Sequence, residues 1–150
     1  MKLSSGWAVG VVVATLCFST HGSEENIKEG KITLKDARKN SQNRQVIRVG
    51  EKVVFKVNAY IDDFIGDMII NANANLINLT NDSQELIYAI TFYDADKNIV
   101  GAYAANCLLD PNESTYFGSA LIDGKVEDFK RVVSYRLYTC SYKALPTDNL

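Results

Sequence analysis

The chain has 150 residues, of which 47% are apolar and 23% charged, with 16 basic side chains against 18 acidic ones. This composition is typical of one globular domain and excludes a disordered, collagen-like or multi-span membrane protein. The net charge of −2 gives no general attraction to nucleic acid, whose binding depends on dense positive charge. We therefore expect no nucleic-acid partner.

The first 22 residues are typical of a secretory signal peptide. Lys2 precedes the apolar run Trp7–Phe18, and the small or polar stretch ending at Gly22 offers a cleavage site. The run is shorter than the ~20 residues that cross a bilayer, so a stable membrane anchor is the less favoured alternative. Lipidation of Cys17 is disfavoured by the large side chain of Leu16 before it. The pattern predicts an exported protein, periplasmic or secreted.

Cleavage after Gly22 would remove the single histidine, His21, and the single tryptophan, Trp7. Without an imidazole, neither a Ser-His-Asp nor a Cys-His nucleophile can be assembled. Two cysteines without histidine cannot complete the usual zinc sites. We therefore expect no cofactor, no metal and no enzymatic activity.

Two cysteines, Cys107 and Cys140, remain after cleavage. Thiols of exported proteins are usually oxidised, and two thiols make one bridge. We expect a structural disulfide between Cys107 and Cys140. A redox pair is the weaker alternative, because redox cysteines are commonly close in sequence.

Beyond a polar lead at 23–30, apolar residues recur with period two, which is typical of strands. The predicted strands are Ile32–Leu34, Val46–Val49, Val53–Tyr60, Ile70–Leu76, Leu86–Tyr93, Ile99–Leu108, Ser114–Leu121 and Val132–Tyr142. In the clearest strand, Asn71, Asn73 and Asn75 alternate with apolar residues, which places three amides on one face. Seven to eight short strands without long helices favour an all-β antiparallel sandwich over residues 31–143, followed by a frayed tail at 144–150.

The order of features from Asn73 to Phe117 resembles the FxLYD domain, a sandwich module of bacterial envelope and secreted proteins. The resemblance is carried by 78–81, by the strand ending Ile90-Thr91-Phe92-Tyr93-Asp94, and by 109–113 leading to Phe117. The chain departs from the family pattern at Ile90, Phe92 and Asn112; asparagine tolerates positive φ where the family usually has glycine. The resemblance implies an immunoglobulin-like fold and an accessory or binding role, with no catalytic residues to transfer.

Three polar clusters are candidate ion or partner sites. Asp94, Asp96 and Asn98 have the opening of a calcium loop, but the later glycine and glutamate are missing, so a polar hairpin turn is favoured over a weak cation site. Asp62, Asp63 and Asp67 form the densest acidic group, for which an acidic loop is favoured over a cation, partner or catalytic site. Four cations, Lys35, Arg38, Lys39 and Arg44, indicate a solvated loop or a patch for an acidic partner.

The last predicted strand is the favoured contact surface. Tyrosine and arginine are enriched where proteins bind proteins, and this segment contains Arg131, Tyr135, Arg136, Tyr138 and Tyr142. Parity divides them, because Tyr138 and Tyr142 share a face with Cys140 while Tyr135 lies opposite. An inward disulfide would expose the Tyr135 side, and core packing of these rings is the competing interpretation.

The sequence therefore predicts an exported, non-enzymatic module that binds a protein or a cell-envelope component through an edge strand or a sheet face. A free edge suits strand addition by a partner. One alternative is a hydrolase that uses only the carboxylates at 62, 63 and 67. The other is a structural or adhesive subunit that self-assembles by strand exchange.

Overall fold

The computed structural model of the chain describes residues 23–64, 67–117, 120–124 and 129–145. The predicted signal peptide at 1–22 and the end of the predicted tail at 146–150 lie outside this part of the chain. The described strands are β1 Glu24–Lys31, β2 Gln45–Val49, β3 Val53–Phe64, β4 Asp67–Asn78, β5 Gln84–Tyr93, β6 Ile99–Leu109, β7 Ser114–Phe117, β8 Ala120–Gly124 and β9 Ser134–Lys143.

The strands form two antiparallel sheets. The four-stranded sheet has the order β1-β9-β5-β6, and the five-stranded sheet has β2-β3-β4 with β7 and β8 both paired to the far side of β4. The prediction of an all-β antiparallel sandwich is confirmed. The described residues hold nine strands rather than seven or eight. The polar lead forms β1, and the predicted strand Ser114–Leu121 is divided into β7 and β8. The predicted strand Ile32–Leu34 is wrong, because this segment follows the end of β1 and joins no named strand, although both apolar side chains are buried in the core.

The core lies between the sheets and follows the period-two pattern. On β4, the side chains of Ile70, Ala72, Ala74 and Leu76 are all fully buried. Buried side chains of β5 and β9, including Leu137, join the same core cluster from the other sheet. Burial of each large aliphatic side chain contributes about 1.5–3 kcal/mol, so the alternation on β4 stabilises the sandwich and leaves the intervening amides on its outside.

The segment predicted as a polar lead is largely an edge strand. β1 pairs with β9 from Glu24 opposite Ser141 to Lys31 opposite Ser134. Its sequence lacks an apolar alternation because both of its faces are largely solvated, and even Ile27 is 57% exposed. The Lys28 ammonium donates a hydrogen bond to the Arg48 carbonyl at 2.8 Å, which ties this edge to β2 of the other sheet. Charges of this kind on an edge oppose strand addition by a partner.

The turn after β6 contains the segment that carries the family resemblance. The Glu113 amide donates to the Asp110 carbonyl at 3.1 Å, and the Asp110 amide donates to the Glu113 carboxylate at 3.1 Å. Asn112 has φ of 62°, as expected for an asparagine that replaces glycine. The buried side chain of Asn78 donates to the carbonyls of Leu109 and Asp110, which fixes this turn against the end of β4.

The predicted Cys107–Cys140 disulfide is absent. Cys107 is a free cysteine, whereas Cys140 is not. Cys107 on β6 lies opposite Leu86, whereas Cys140 on β9 lies opposite Ile87, so the two sulfurs point to opposite faces of the sheet. β5 separates the two strands, which places their Cα atoms about 10 Å apart, beyond the ~7 Å limit for a disulfide. Burial raises the pKa of the Cys107 thiol to about 11.

The start of the predicted tail is held by the fold. The amide of Ala144 donates to the carbonyl of Ser83 at 2.9 Å, directly after the end of β9. The Lys143 ammonium lies 2.7 Å from the Asp82 carboxylate. The backbone is therefore hydrogen-bonded to the domain as far as Ala144.

Candidate functional site

The strand predicted as the contact surface lies inside its sheet. β9 pairs with β1 on one side and with β5 on the other, so its backbone groups are used by the ladders. A partner therefore cannot add a strand to β9. The sequence shows no sign of this, because the order of strands in a sheet is set by long-range pairing. Any contact through β9 must use its outer side chains.

Tyr135 belongs to the core. It is 8% exposed and lies opposite Gly30, where a Cβ atom would come within 3.0 Å of the tyrosine ring. The alternative in which the Tyr135 side of β9 is exposed is wrong, because Tyr135 shares the inward face of Leu137. Arg131 is exposed but precedes β9. Hydrogen bonds from Asn98 lower the pKa of Asp94, and the Arg131 charge adds a smaller effect in the same direction.

The remaining predicted binding residues lie on the outer surface of the four-stranded sheet, which we call the tyrosine face. It is formed by Ile27, Glu25, Glu29, Glu85, Ile87, Ala89, Arg136, Tyr138, Cys140 and Tyr142. Each tyrosine hydroxyl donates to a carboxylate, Tyr138 to Glu25 at 3.4 Å and Tyr142 to Glu85. The Arg136 guanidinium lies 3.2 Å from the Glu29 carboxylate.

These contacts change the acidity of both rings. Burial, with the nearby Glu25 charge, raises the pKa of Tyr138 to about 12. The hydrogen bond to Glu85, followed by burial, raises the pKa of Tyr142 to about 12. The polar groups of the tyrosine face are therefore already paired with one another, and a ligand would have to replace those pairs.

Two of the three polar clusters contain side chains that are hydrogen-bonded within their own loops. The Asp94 carboxylate accepts hydrogen bonds from the amides of Asp96 and Asn98 at 3.0 and 2.8 Å, as in a polar hairpin turn. Arg38 donates two side-chain hydrogen bonds to Asp36 at 2.9 and 2.7 Å, which lowers the pKa of that carboxyl to about 2. In the acidic group, Asp62 lies on β3, while the side chains of Asp63 and Asp67 lie outside the described part.

The outer surface of the five-stranded sheet has a different chemistry, and we call it the amide face. It is formed by Arg44, Val46, Arg48, Lys56, Asn58, Tyr60, Asp62, Asn71, Asn73, Asn75 and Tyr116. The predicted row of Asn71, Asn73 and Asn75 on one side of β4 is confirmed. Register places Asn58 beside Asn73, and Tyr116 beside Asn75.

The centre of the amide face is held by Tyr60. The Asn73 amide donates to the Tyr60 hydroxyl at 2.6 Å, and both side chains are buried. The Arg44 guanidinium lies over the Tyr60 ring, 4.8 Å from its centroid, in a cation–π contact. Burial raises the pKa of Tyr60, and the Arg44 charge opposes that shift. These contacts fix the side chains of Tyr60 and Asn73, beside which the neighbouring amides lie.

The amides around the Tyr60–Asn73 pair have unused hydrogen-bonding groups, and we call them open amides. Within the described structure, no side-chain hydrogen bond joins the half-buried amides of Asn58, Asn71 and Asn75 to the protein. Tyr116 is 61% exposed at the β7 rim. Each amide presents one acceptor and two donor hydrogens, so the face offers hydrogen bonds in both directions.

Sequence reasoning found the amides of β4 but missed Arg48, Lys56 and Tyr116. These three residues and Asn75 form one row across four strands, with Arg48 opposite Lys56, Lys56 opposite Asn75 and Asn75 opposite Tyr116. The available signal was the alternation of polar residues along β2 and β3. It becomes informative only when the pairing register is known.

Across 23–64, 67–117, 120–124 and 129–145, no helix has the length and apolar character needed to cross a bilayer. Over the same ranges, no group of three or more His, Cys, Asp or Glu residues is placed to hold a metal ion.

No family model matches the chain, and no curated protein does. Among solved structures, the chain is similar to a DUF1425 family member from Shewanella sp. pv-4, with 18% identity over 68% of this chain and 92% of that one, at a TM-score of 0.39. It is also similar to the family 11 carbohydrate-binding module of Clostridium thermocellum, with 7% identity over 85% and 89% of the chains, at a TM-score of 0.24. A structure of infectious bursal disease virus shares 13% identity over 87% of this chain and 29% of that one, at a TM-score of 0.28. These similarities are too distant to assign a function, which must be argued from the chain's own residues.

Proposed function

We propose that this chain is an exported, non-enzymatic binding module that contacts a component of the cell envelope through its amide face. The observation that carries the proposal is the set of open amides at Asn58, Asn71 and Asn75, arranged around the fixed Tyr60–Asn73 pair. Open hydrogen-bonding groups on a rigid sheet can bind a ligand with little ordering cost.

The amide face suits this role better than the charged edge strand β1. The edge strand β1 carries Glu25, Lys28, Glu29 and Lys31, and such charges oppose the pairing of a second chain. On the tyrosine face, the hydroxyls and the arginine are paired with carboxylates, so that binding there would first break existing contacts. The amide face has no comparable contacts to lose at Asn58, Asn71 and Asn75.

Binding without turnover is the simpler use of these groups. The sequence has one histidine, His21, which precedes the described residues, so the amide face has no imidazole to act as a general base. Its amides can orient a ligand but cannot transfer protons at neutral pH. The rival hydrolase predicts that Asp62→Asn abolishes a measurable turnover, whereas the binding module has none to lose.

The test is co-sedimentation of the purified chain with envelope material from its native host. We expect the double variant Asn58→Ala, Asn75→Ala to lose most of the bound fraction, because each open amide that contacts the ligand contributes about 0.5–1.5 kcal/mol. The matched control is Tyr138→Ala on the opposite face, which should bind like the unmodified chain. Equal binding by the double variant, or loss of binding in Tyr138→Ala alone, would show that the amide face is not the site.

A further inference from the structure

We infer that the ligand of the amide face is an acidic polysaccharide, a chain of sugar rings that carry carboxylates as well as hydroxyls. This inference rests on the proposed function and adds the chemical class of the ligand. It is drawn from two lines of polar groups that cross on this face, and from the sign of the charge beside them.

The two lines cross at Asn75. Along β4, Asn71, Asn73 and Asn75 are spaced two residues apart and span about 13 Å. Across the strands, the row from Arg48 through Lys56 and Asn75 to Tyr116 spans about 14 Å. Both lengths exceed one sugar ring, so the face fits several linked rings rather than a monosaccharide.

The amides match the hydroxyl groups of a sugar. A hydroxyl both donates and accepts a hydrogen bond, and a primary amide can do both from one planar group. An apolar ligand would leave Asn58, Asn71 and Asn75 desolvated without partners, which is costly. At the end of the cross-strand row, the exposed ring of Tyr116 adds an apolar surface against which the C–H side of a sugar ring can pack.

The charge beside the amides favours an acidic ligand. Among the side chains described on this face, Arg44, Arg48 and Lys56 are positive, and Asp62 is negative. The whole chain carries −2, whereas the side chains described on this face sum to a positive charge. A guanidinium binds a carboxylate through two parallel hydrogen bonds, and Arg48 is exposed and able to do so.

The same features disfavour an acidic peptide or a nucleic acid. Protein interfaces are anchored by large side chains in desolvated pockets, whereas this face offers a row of small amides and one rim tyrosine. Nucleic acids need more phosphate contacts than three cations supply for tight binding at physiological salt. The combination of many neutral hydrogen bonds with a few cations is that of a sugar chain with spaced carboxylates.

The experiment uses three polymers with the purified full chain in affinity electrophoresis and calorimetry. Polygalacturonate has hydroxyls and carboxylates, its methyl ester has the hydroxyls without the charge, and polyglutamate has the charge without the sugar. We expect polygalacturonate to bind at least tenfold more tightly than either of the others, and its binding to weaken as salt is added.

Variants assign the binding to the face. Asn75→Ala should weaken binding to polygalacturonate about tenfold, and Arg48→Gln with Lys56→Gln should remove its advantage over the methyl ester. Arg136→Gln is the matched control, since it removes one exposed positive charge from the tyrosine face. Melting temperatures within a few degrees of the unmodified chain would show that each variant is folded.

The other outcomes overturn the inference in distinct ways. Equal binding to polygalacturonate and its ester would mean a neutral polysaccharide, and tighter binding to polyglutamate would mean an acidic peptide. No binding to any polymer, with binding to envelope material that still depends on Asn58 and Asn75, would reject the polysaccharide and keep the proposed function. Envelope binding that is unchanged when those amides are removed would reject both the polysaccharide and the proposed function.

Discussion

Both outer faces of the sandwich carry tyrosines and other polar side chains, but the two faces differ in how these polar groups are hydrogen-bonded. On the tyrosine face, Tyr138 and Tyr142 donate to glutamates of neighbouring strands. On the amide face, the Tyr60 hydroxyl is buried and accepts from Asn73, while Asn58 and Asn75 remain open. The polar groups of the tyrosine face are paired within the protein, whereas the amides of Asn58 and Asn75 have no side-chain hydrogen bond within the described residues. The pairing of the polar groups, more than the residue types, therefore distinguishes the two faces.

The strongest way to disrupt the amide face is through the turn that sets its register. Gly50 lies between β2 and β3 with φ of +85°, and a Cβ atom there would lie 1.9 Å from the Val53 carbonyl oxygen. Gly50→Ala should lower the free energy of unfolding by about 3 kcal/mol or more, measured by urea denaturation with circular dichroism. The register of Arg48 opposite Lys56 depends on this turn.

A control separates the steric clash from backbone strain. Asparagine tolerates positive φ but still has a Cβ atom, so Gly50→Asn should be nearly as destabilising as Gly50→Ala. At Asn112, where φ is 62° and asparagine is native, Asn112→Gly should change stability by less than about 1 kcal/mol. Full recovery of stability in Gly50→Asn would mean that dihedral strain alone was responsible.

A matched pair of hydroxyl deletions compares the two faces directly. Tyr60→Phe removes the acceptor of a buried 2.6 Å hydrogen bond from Asn73, which should cost about 1–2 kcal/mol. Tyr138→Phe removes a longer, exposed contact to Glu25 and should cost less than about 0.5 kcal/mol. Thermal unfolding of both variants in one buffer gives the difference. A larger loss for Tyr138→Phe would reverse our ranking of the two faces.

The amide row could be predicted because a period of two fixes both faces of a strand at once. Once Ile70, Ala72, Ala74 and Leu76 are assigned to the core, the asparagines between them must point outward. The same logic predicted most other strands, including β3 and β5. It failed at β1, since an edge strand with Glu25 and Glu29 on one face and Lys28 on the other has no apolar pattern to read.

The errors concern partners across strands, which the sequence does not specify. The parity of β9 correctly separated Tyr135 from Tyr138, but deciding which side faces inward required the pairing of Tyr135 with Gly30 and Phe92. The predicted disulfide failed for the same reason, because the spacing of two cysteines says nothing about an intervening strand. The cross-strand row through Lys56 and Tyr116 likewise exists only in the folded register.

Alkaline pH tests the closed pairs of the tyrosine face, with the smallest expected effect. The pKa values of Tyr138 and Tyr142 are both raised to about 12 from an ordinary value near 10, so the fold favours their neutral forms. Their contribution to stability is therefore complete below pH 10 and is lost as the pH rises toward 12. Solvent screening should keep each contribution below about 1 kcal/mol.

The measurement is urea unfolding at pH 8 and pH 11 for the unmodified chain and for Tyr138→Phe with Tyr142→Phe. The double variant should lose less stability between these pH values, because phenylalanine has no proton to release. Some loss should remain, since burial also raises the pKa values of Tyr60 and Tyr135. An equal loss in both proteins would mean that the Tyr–Glu pairs do not hold these hydroxyls neutral, and the tyrosine face would then be as open to a ligand as the amide face.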